Sequence, residues 1–330
     1  MEGSEIRPGA VTPRSPLASG PGVSSRSARV RPDPGGSDAL CDSKGAFLTA
    51  DYIPGGDAEP LNHDVLPPKT SRGDRSIEGG GVDLSGRLLS LARVAKGAAM
   101  TASGMVYGPD VDKALDELRD EASALVGFDP RTGLESREEA LAFWINLYNA
   151  LVMHGALAMR VQRSMQELPG FFGRAVYDVG GLRYSLDIIE HGLLRANRGH
   201  PRRLGLPQLS PWDRRRASVI RPMDVRIHFA LNCGAAACPM VRHYQAEAID
   251  AQLDLAARAF VNGGGVRIDP ARGCVLLSRI FLWYSRDFGI SKRGKLRRLR
   301  PFIEETRRDE IEQAAKHGGI RYDEYDWSFR

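Results

Sequence analysis

The apolar positions of this chain have no period before about residue 85 and a helical or strand period through most of the rest. Leu88, Leu89, Leu91 and Val94 predict the inner face of a first helix. Val111, Leu115, Leu118, Ala122 and Leu125 predict a second, with carboxylates on its other side. A third helix starts after Ser136. With Glu139 this serine makes a capping box, in which each side chain satisfies a backbone N–H that the first turn leaves free. The helix continues through Phe143-Trp144-Ile145-Asn146-Leu147-Tyr148-Asn149-Ala150 to about Ala158. It is apolar nearly all round, so it belongs at the centre of a domain, with Asn146, Asn149 and His154 as its polar exceptions.

Downstream, residues 177–184 read as a hairpin turning at Gly180-Gly181, and Ser185 caps a helix over 186–195. Residues 225–232 read as a strand and 246–261 as an amphipathic helix. Residues 266–268 and 274–277 form a second hairpin around Pro270 and Gly273. Ser278 caps a short helix carrying Ile280, Phe281, Trp283 and Tyr284. A basic helix over 292–316 leads to a last extended piece, 320–327. Helices and short strands mix without regular β-α-β alternation. The expected class is therefore α+β: one domain over 86–330, with helices packed on a small mixed or antiparallel sheet. Residues 1–85 are rich in Pro, Gly and Ser and cannot bury enough apolar surface to offset the entropy of ordering, so they are expected to be a disordered tail. Ala46-Phe47-Leu48 is the one apolar piece there that could dock.

Composition narrows the setting. No window suggests the run of about 18–20 apolar residues that a membrane span needs. The acidic start, Met1-Glu2-Gly3-Ser4-Glu5, lacks the features of a secretory signal, so the cytoplasm is the expected location. Four cysteines, Cys41, Cys233, Cys238 and Cys274, are too few and too scattered for a disulfide scaffold. The net charge of +5 conceals an acidic tail and a basic domain. Arg214-Arg215-Arg216 and Lys292, Arg293, Lys295, Arg297, Arg298 and Arg300 are the basic runs. They offer an anionic ligand or a protein partner a surface on the basic C-terminal helix. The absence of a recognised nucleic-acid motif argues against DNA or RNA, and no phosphate-binding loop or dinucleotide fingerprint implies a cofactor.

Chemistry concentrates in Arg226-Ile227-His228-Phe229-Ala230-Leu231-Asn232-Cys233-Gly234-Ala235-Ala236-Ala237-Cys238-Pro239. The leading expectation is a thiol-dependent hydrolase or acyltransferase with Cys233 as nucleophile. The Cys-Gly step places the thiol at a sharp turn; if a helix begins there, free N–H groups lower its pKa and stabilise an oxyanion. His228 or His154 would be the base, and Asn146, Glu190 or Asp326 would orient it. On a regular strand His228 and Cys233 face opposite ways. Cys238 precedes a proline and could resolve an oxidised Cys233. A zinc site from His228, Cys233, Cys238 and His243 is acceptable in ligand type but matches no common spacing. The rival from another class is a non-catalytic interaction or scaffold module, in which Asn146, Asn149, His154, Glu190 and Asn232 only satisfy one another inside the core.

The ordered landmarks Phe143–Ala150, Tyr177-Asp178-Val179-Gly180-Gly181, Ile189-Glu190, Arg226–Gly234 and Tyr325-Asp326-Trp327-Ser328 resemble the family known as domain of unknown function 547, over roughly residues 90–330. The resemblance implies no established activity. Some members are fused to glutaredoxin-like modules, which hints at thiol chemistry. Ala237 stands where that family commonly has a serine before the second cysteine, so no hydroxyl is required there.

Overall fold

In the computed structural model, residues 59–62, 80–201 and 206–329 are described. Cys41, the piece 46–48 and most of the tail expected to be disordered lie outside them. Three helices build the first half: α1 (Gly80–Ala99), α2 (Pro109–Ala122) and α3 (Arg137–Ala158). α3 is buried on every side from Leu141 to Leu157 and packs along α1. By length and composition it is apolar enough to cross a membrane, contrary to the expectation from sequence, yet 94% of its apolar window is covered by the rest of the domain. Ser136 Oγ accepts the Glu139 N–H at 3.1 Å, as expected, but Glu139 Oε2 returns to the N–H of Glu135 (2.7 Å) rather than to that of Ser136.

α1 begins at Gly80, eight residues before Leu88, the first apolar position of the predicted face. Its buried face is Leu84, Leu88, Leu89, Ala92, Ala95 and Ala99, and Val94 points to solvent. The small alanines carry the inner face where the larger Val94 was expected to. Earlier in the chain, residues 59–62 are fixed rather than loose. Asn62 donates to the carbonyls of Ala122 (3.1 Å) and Asp178 (2.9 Å) and accepts the Asp178 N–H (3.0 Å). A single buried amide thus joins the end of α2 to β1 (Val176–Val179). β1 pairs antiparallel with β2 (Leu182–Ser185), in register Val176↔Ser185. Gly180 and Gly181 both have positive φ, as this two-residue turn requires. A Cβ at Gly180 would lie 2.7 Å from the Phe128 carbonyl, so the turn also needs glycine for space.

After β2 the chain enters α4 (Ile188–Leu194), a π-helical turn in which the Arg195 N–H reaches back to the Glu190 carbonyl at 2.8 Å. Such widened turns recur at functional sites. The expected strand over 225–232 is instead a 3-10 turn, Val225–Phe229. Asp224 causes the difference: its carboxylate accepts the Arg226 N–H and holds the Arg226 guanidinium at 2.7 Å. Arg226 in turn binds Asp250 and Asp254 on α5 (Ile249–Phe260). This turn lies between two apolar cores. Ile227, Ala230 and Leu231 join the core around α3. Phe229 joins the core of the second half.

That second core lies on a three-stranded sheet, β3 (Val266–Asp269), β4 (Cys274–Leu277) and β5 (Ile320–Tyr322). β3 is antiparallel and β5 parallel to the central β4. The mixed sheet and helical bulk make the class α+β. The short helix after Ser278 is split into two single turns, Ile280–Trp283 and Ser285–Phe288. The expected long basic helix is also broken, into α6 (Lys292–Leu299) and α7 (Glu305–His317). Pro301 lies at the break, where it lacks the N–H a continuous helix would use. Several cations of this series are committed internally. Lys292 and Lys295 both lie over the Tyr322 ring, Arg300 binds Glu312, and burial pulls the Lys295 ammonium down to about 8.

Candidate functional site

Cys233 and Cys238 face each other across a tight loop, both half-buried, with their sulfurs 2.6 Å apart. Two asparagines shape this loop. Asn149, on α3, donates to the Ala230 carbonyl (3.0 Å) and accepts the Asn232 N–H (2.9 Å). Asn232 accepts the Gly234 N–H (2.6 Å) and donates to the Pro239 carbonyl (2.6 Å). Gly234 has a φ of +88°, which an L side chain adopts only with strain. Asn149→Ala is therefore expected to leave the buried Ala230 carbonyl and the part-buried Asn232 N–H unsatisfied. The expected cost is about 1–3 kcal/mol, read by thermal or urea denaturation.

The two thiols are unequal. The Cys233 thiol is pushed well above its ordinary range, first by its hydrogen bond with Cys238 and then by burial. Burial also raises the Cys238 thiol, but the hydrogen bonds it accepts outweigh burial and hold it below its usual value. Its donors are the Cys233 thiol, the Tyr325 hydroxyl at 3.0 Å and the Cys233 N–H at 3.1 Å, with the Ala235 N–H adding to them. No helix begins at Gly234, so the expected helix-end effect is replaced by individual N–H groups, and these favour Cys238. Lys96 lies within electrostatic reach of the same sulfur.

A C-terminal strap covers the loop. The Ala236 N–H donates to the Ser328 carbonyl (2.7 Å) and the Ala237 N–H to the Asp326 carbonyl (3.1 Å), while the Phe329 N–H donates to Arg163 (3.0 Å). Tyr325 rides on this strap, its ring 4.7 Å from those of both Trp283 and Trp327. Its hydroxyl touches both sulfurs, at 3.0 Å from Cys238 and 3.5 Å from Cys233. Asp326, named from sequence as an imidazole orienter, accepts the Ser328 N–H and hydroxyl and so shapes the strap.

Neither histidine expected as base has a sulfur among its hydrogen-bond partners. His228 Nε2 bonds Asp287 Oδ2 at 2.9 Å, with its ring centroid 4.0 Å from that of Tyr284. His154 Nδ1 bonds the Tyr177 hydroxyl at 2.7 Å, and burial pulls its pKa down to about 3. Asn146 holds the Tyr244 backbone, donating to its carbonyl (2.8 Å) and accepting its N–H (2.9 Å), and does not orient an imidazole. Glu190 accepts from the Tyr148 (3.0 Å) and Tyr284 (2.5 Å) hydroxyls. Those two tyrosines sit within electrostatic reach of Cys233 and so connect Glu190 to the thiol pair.

Beside this carboxylate runs a buried ionic network. Arg195 donates to Asp287 Oδ2 (2.7 Å), to the Gly199 carbonyl (2.7 Å) and to His191 Nδ1 (3.0 Å). Arg198 reaches Asp287 Oδ1 at 2.9 Å. The sequence offered no signal for Asp287 or Arg195. Tyr325 was visible only as a letter of the C-terminal motif.

The His2Cys2 set weighed as an alternative zinc site does not gather. His228 is held by Asp287, and the His243 ring lies against Gly86 of α1. Among the described residues Asp187, His191 and His200 do come together, with possible ligand atoms within 4.8 Å of one another. Arginine can only donate, so His191 Nδ1 accepts from Arg195 and the neutral ring carries its proton on Nε2. Nε2 is the nitrogen facing Asp187, at 3.8 Å, and its lone pair is not free for a metal. Ligating histidines normally donate from the second nitrogen, and Arg195 forbids that here.

Residues 132–261 match the family model described as "Protein of unknown function, DUF547". No curated protein and no solved structure matches the chain. The matched segment contains Asn146, Asn149, Glu190, His228, Cys233 and Cys238. Tyr284, Asp287 and the Tyr325 strap lie beyond it.

Proposed function

We propose that this DUF547-bearing chain is a thiol–disulfide redox protein whose working pair is Cys238 and Cys233. The observation that carries the reading is the 2.6 Å approach of the two sulfurs, with the Tyr325 hydroxyl beside both. Cys238, ionised at lower pH than an ordinary thiol, attacks one sulfur of a substrate disulfide. The substrate S–S bond breaks, its other sulfur leaves with the electron pair, and a mixed disulfide forms on Cys238. Cys233 then gives up its proton, attacks Cys238 Sγ and expels the second substrate sulfur. The substrate is reduced to two thiols and the pair is oxidised to one disulfide. A disulfide bond spans about 2.05 Å, so closure needs little further approach. A hydrolase or acyltransferase would need a base on its nucleophile, and the hydrogen bonds of His228 and His154 lead elsewhere.

The test is peptide mapping after incubation of the reduced protein with bis(2-hydroxyethyl) disulfide. The expected product is a Cys233–Cys238 crosslink, reversed by excess small thiol, with Cys274 unchanged in its buried strand. A pair that stays reduced, while small thiols in the same mixture oxidise, would sink the redox reading. The cysteines would then return to a packing role in an interaction module.

A further inference from the structure

We propose that Tyr325 is a catalytic residue of this dithiol, a proton shuttle from Cys233 to the leaving sulfur of the substrate, delivered by the C-terminal strap. The inference rests on the redox reading above and adds a group that lies outside the family-matched segment. The geometry is that of a relay, because one hydroxyl lies 3.0 Å from the attacking sulfur and 3.5 Å from the resolving one. Its ring packs against both Trp283 and Trp327, which also touch each other, and its backbone is held by the strap's bonds to Ala236 and Ala237. Such a hydroxyl is pre-positioned and needs no reorganisation during the reaction.

The proton balance closes. In the resting pair Tyr325 donates its hydroxyl proton to the Cys238 thiolate. As Cys238 forms its bond to substrate, that acceptor lone pair is consumed, and the nearest new anion is the departing thiolate. Tyr325 passes its proton there and takes the proton of Cys233. Cys233, now a thiolate, attacks Cys238 Sγ. The second departing sulfur takes from solvent the proton that Cys238 had released on ionising. One substrate disulfide becomes two thiols, two cysteine sulfurs become one disulfide, and Tyr325 ends as it began. Burial first, and the two neighbouring sulfurs second, hold the phenol well above its ordinary range, so it rests as an O–H donor.

A shuttle and a merely structural tyrosine differ in their dependence on the leaving group. The experiment measures single-turnover thiol release by the full chain and by Tyr325→Phe, which keeps the ring packed against the two tryptophans. Two substrates are compared. Bis(2-hydroxyethyl) disulfide has a basic leaving thiolate that needs a proton. 5,5′-Dithiobis(2-nitrobenzoate) has a weakly basic one that leaves without help. The variant is expected to lose about 100-fold on the dialkyl disulfide and less than about tenfold on the aromatic one, the smaller loss reflecting weaker stabilisation of the Cys238 thiolate. Equal losses on both substrates, or no loss on either, would overturn the shuttle while leaving the redox pair intact. A native chain unreactive toward both disulfides would overturn the redox reading itself, and the shuttle with it.

Discussion

Cys238→Ser is expected to silence the thiol chemistry, and Cys233→Ser is not. In the intact pair, Cys238 collects hydrogen bonds from the Cys233 thiol, the Tyr325 hydroxyl and backbone N–H groups. Its replacement removes the attacking thiolate, and Cys233 keeps only the longer Tyr325 contact, at 3.5 Å, with burial still opposing its ionisation. Exchange with a substrate disulfide should fall at least about 100-fold, to the level of an unactivated thiol. Cys233→Ser retains the Tyr325 hydroxyl and the N–H groups around Cys238. It should still attack, and then stop at a stable mixed disulfide because nothing resolves it. Iodoacetamide at pH 6–7 gives the same ranking, since alkylation follows the thiolate fraction. In the native chain Cys238 should be modified well before Cys233 or Cys274, and its rate should hold at pH values where ordinary thiols have lost theirs. Mass spectrometry of trapped adducts reads both results. The opposite asymmetry, with Cys233→Ser silent and Cys238→Ser trapping substrate, would restore the assignment that the sequence alone favours.

Asp287→Ala is expected to cost about 3–5 kcal/mol of stability, the range for breaking a buried ion pair from one side. Asp287 is fully enclosed, and Arg195, itself 1% exposed, would be left with a buried charge facing no carboxylate. For a domain of this size that corresponds to a fall in Tm of roughly 10 °C. The sign of the pH dependence follows from Asp287. Burial alone would raise its carboxyl, but hydrogen bonds from His228 and Arg195 outweigh burial and hold it well below the usual carboxylate range. His228 is itself pulled down by burial, so Arg195, charged at every pH, is the lasting cation. A carboxyl lowered by folding contributes its full stabilisation above the unfolded value of about 3.9 and loses it as the pH falls further. Urea denaturation at pH 7 and pH 3 should therefore show a smaller difference between native and variant at the lower pH. A variant as stable as the native chain at pH 7 would remove Asp287 from the framework. Arg195→Met combined with Asp287→Ala should cost less than the sum of the two changes, because the orphaned charge is gone.

Much of the frame was legible along the chain. α3 could be placed at the centre because its apolar residues leave no polar face, and its start could be placed because Ser136 is a good cap. The Gly180-Gly181 hairpin was legible because positive φ at two successive residues selects glycine. The elements that sequence misjudged share a different cause. Residues 225–229 have the letters of a strand, yet the Asp224 carboxylate competes for the Arg226 N–H and turns the chain. Val94 has the right spacing for α1, yet the small alanines decide which side lies close to α3. Asn62 sits in a segment of unstructured composition, yet one amide pairing with Asp178 holds it.

By itself, the sequence determined the α+β class, the buried α3 and the concentration of reactive groups between His228 and Cys238. Those properties depend on local periodicity, capping and composition, and each is settled within a few neighbouring residues. Only the tertiary structure decided which groups meet. It turned His228 away to Asp287, spent Asn149 on shaping the thiol loop, and brought Tyr325 from the far end of the chain onto both sulfurs. It also gathered the Tyr325 hydroxyl and the Cys233 N–H around the Cys238 sulfur. A thiol's acidity is set by the donors that surround it in space, and those of Cys238 come from a turn and a strap more than eighty residues apart.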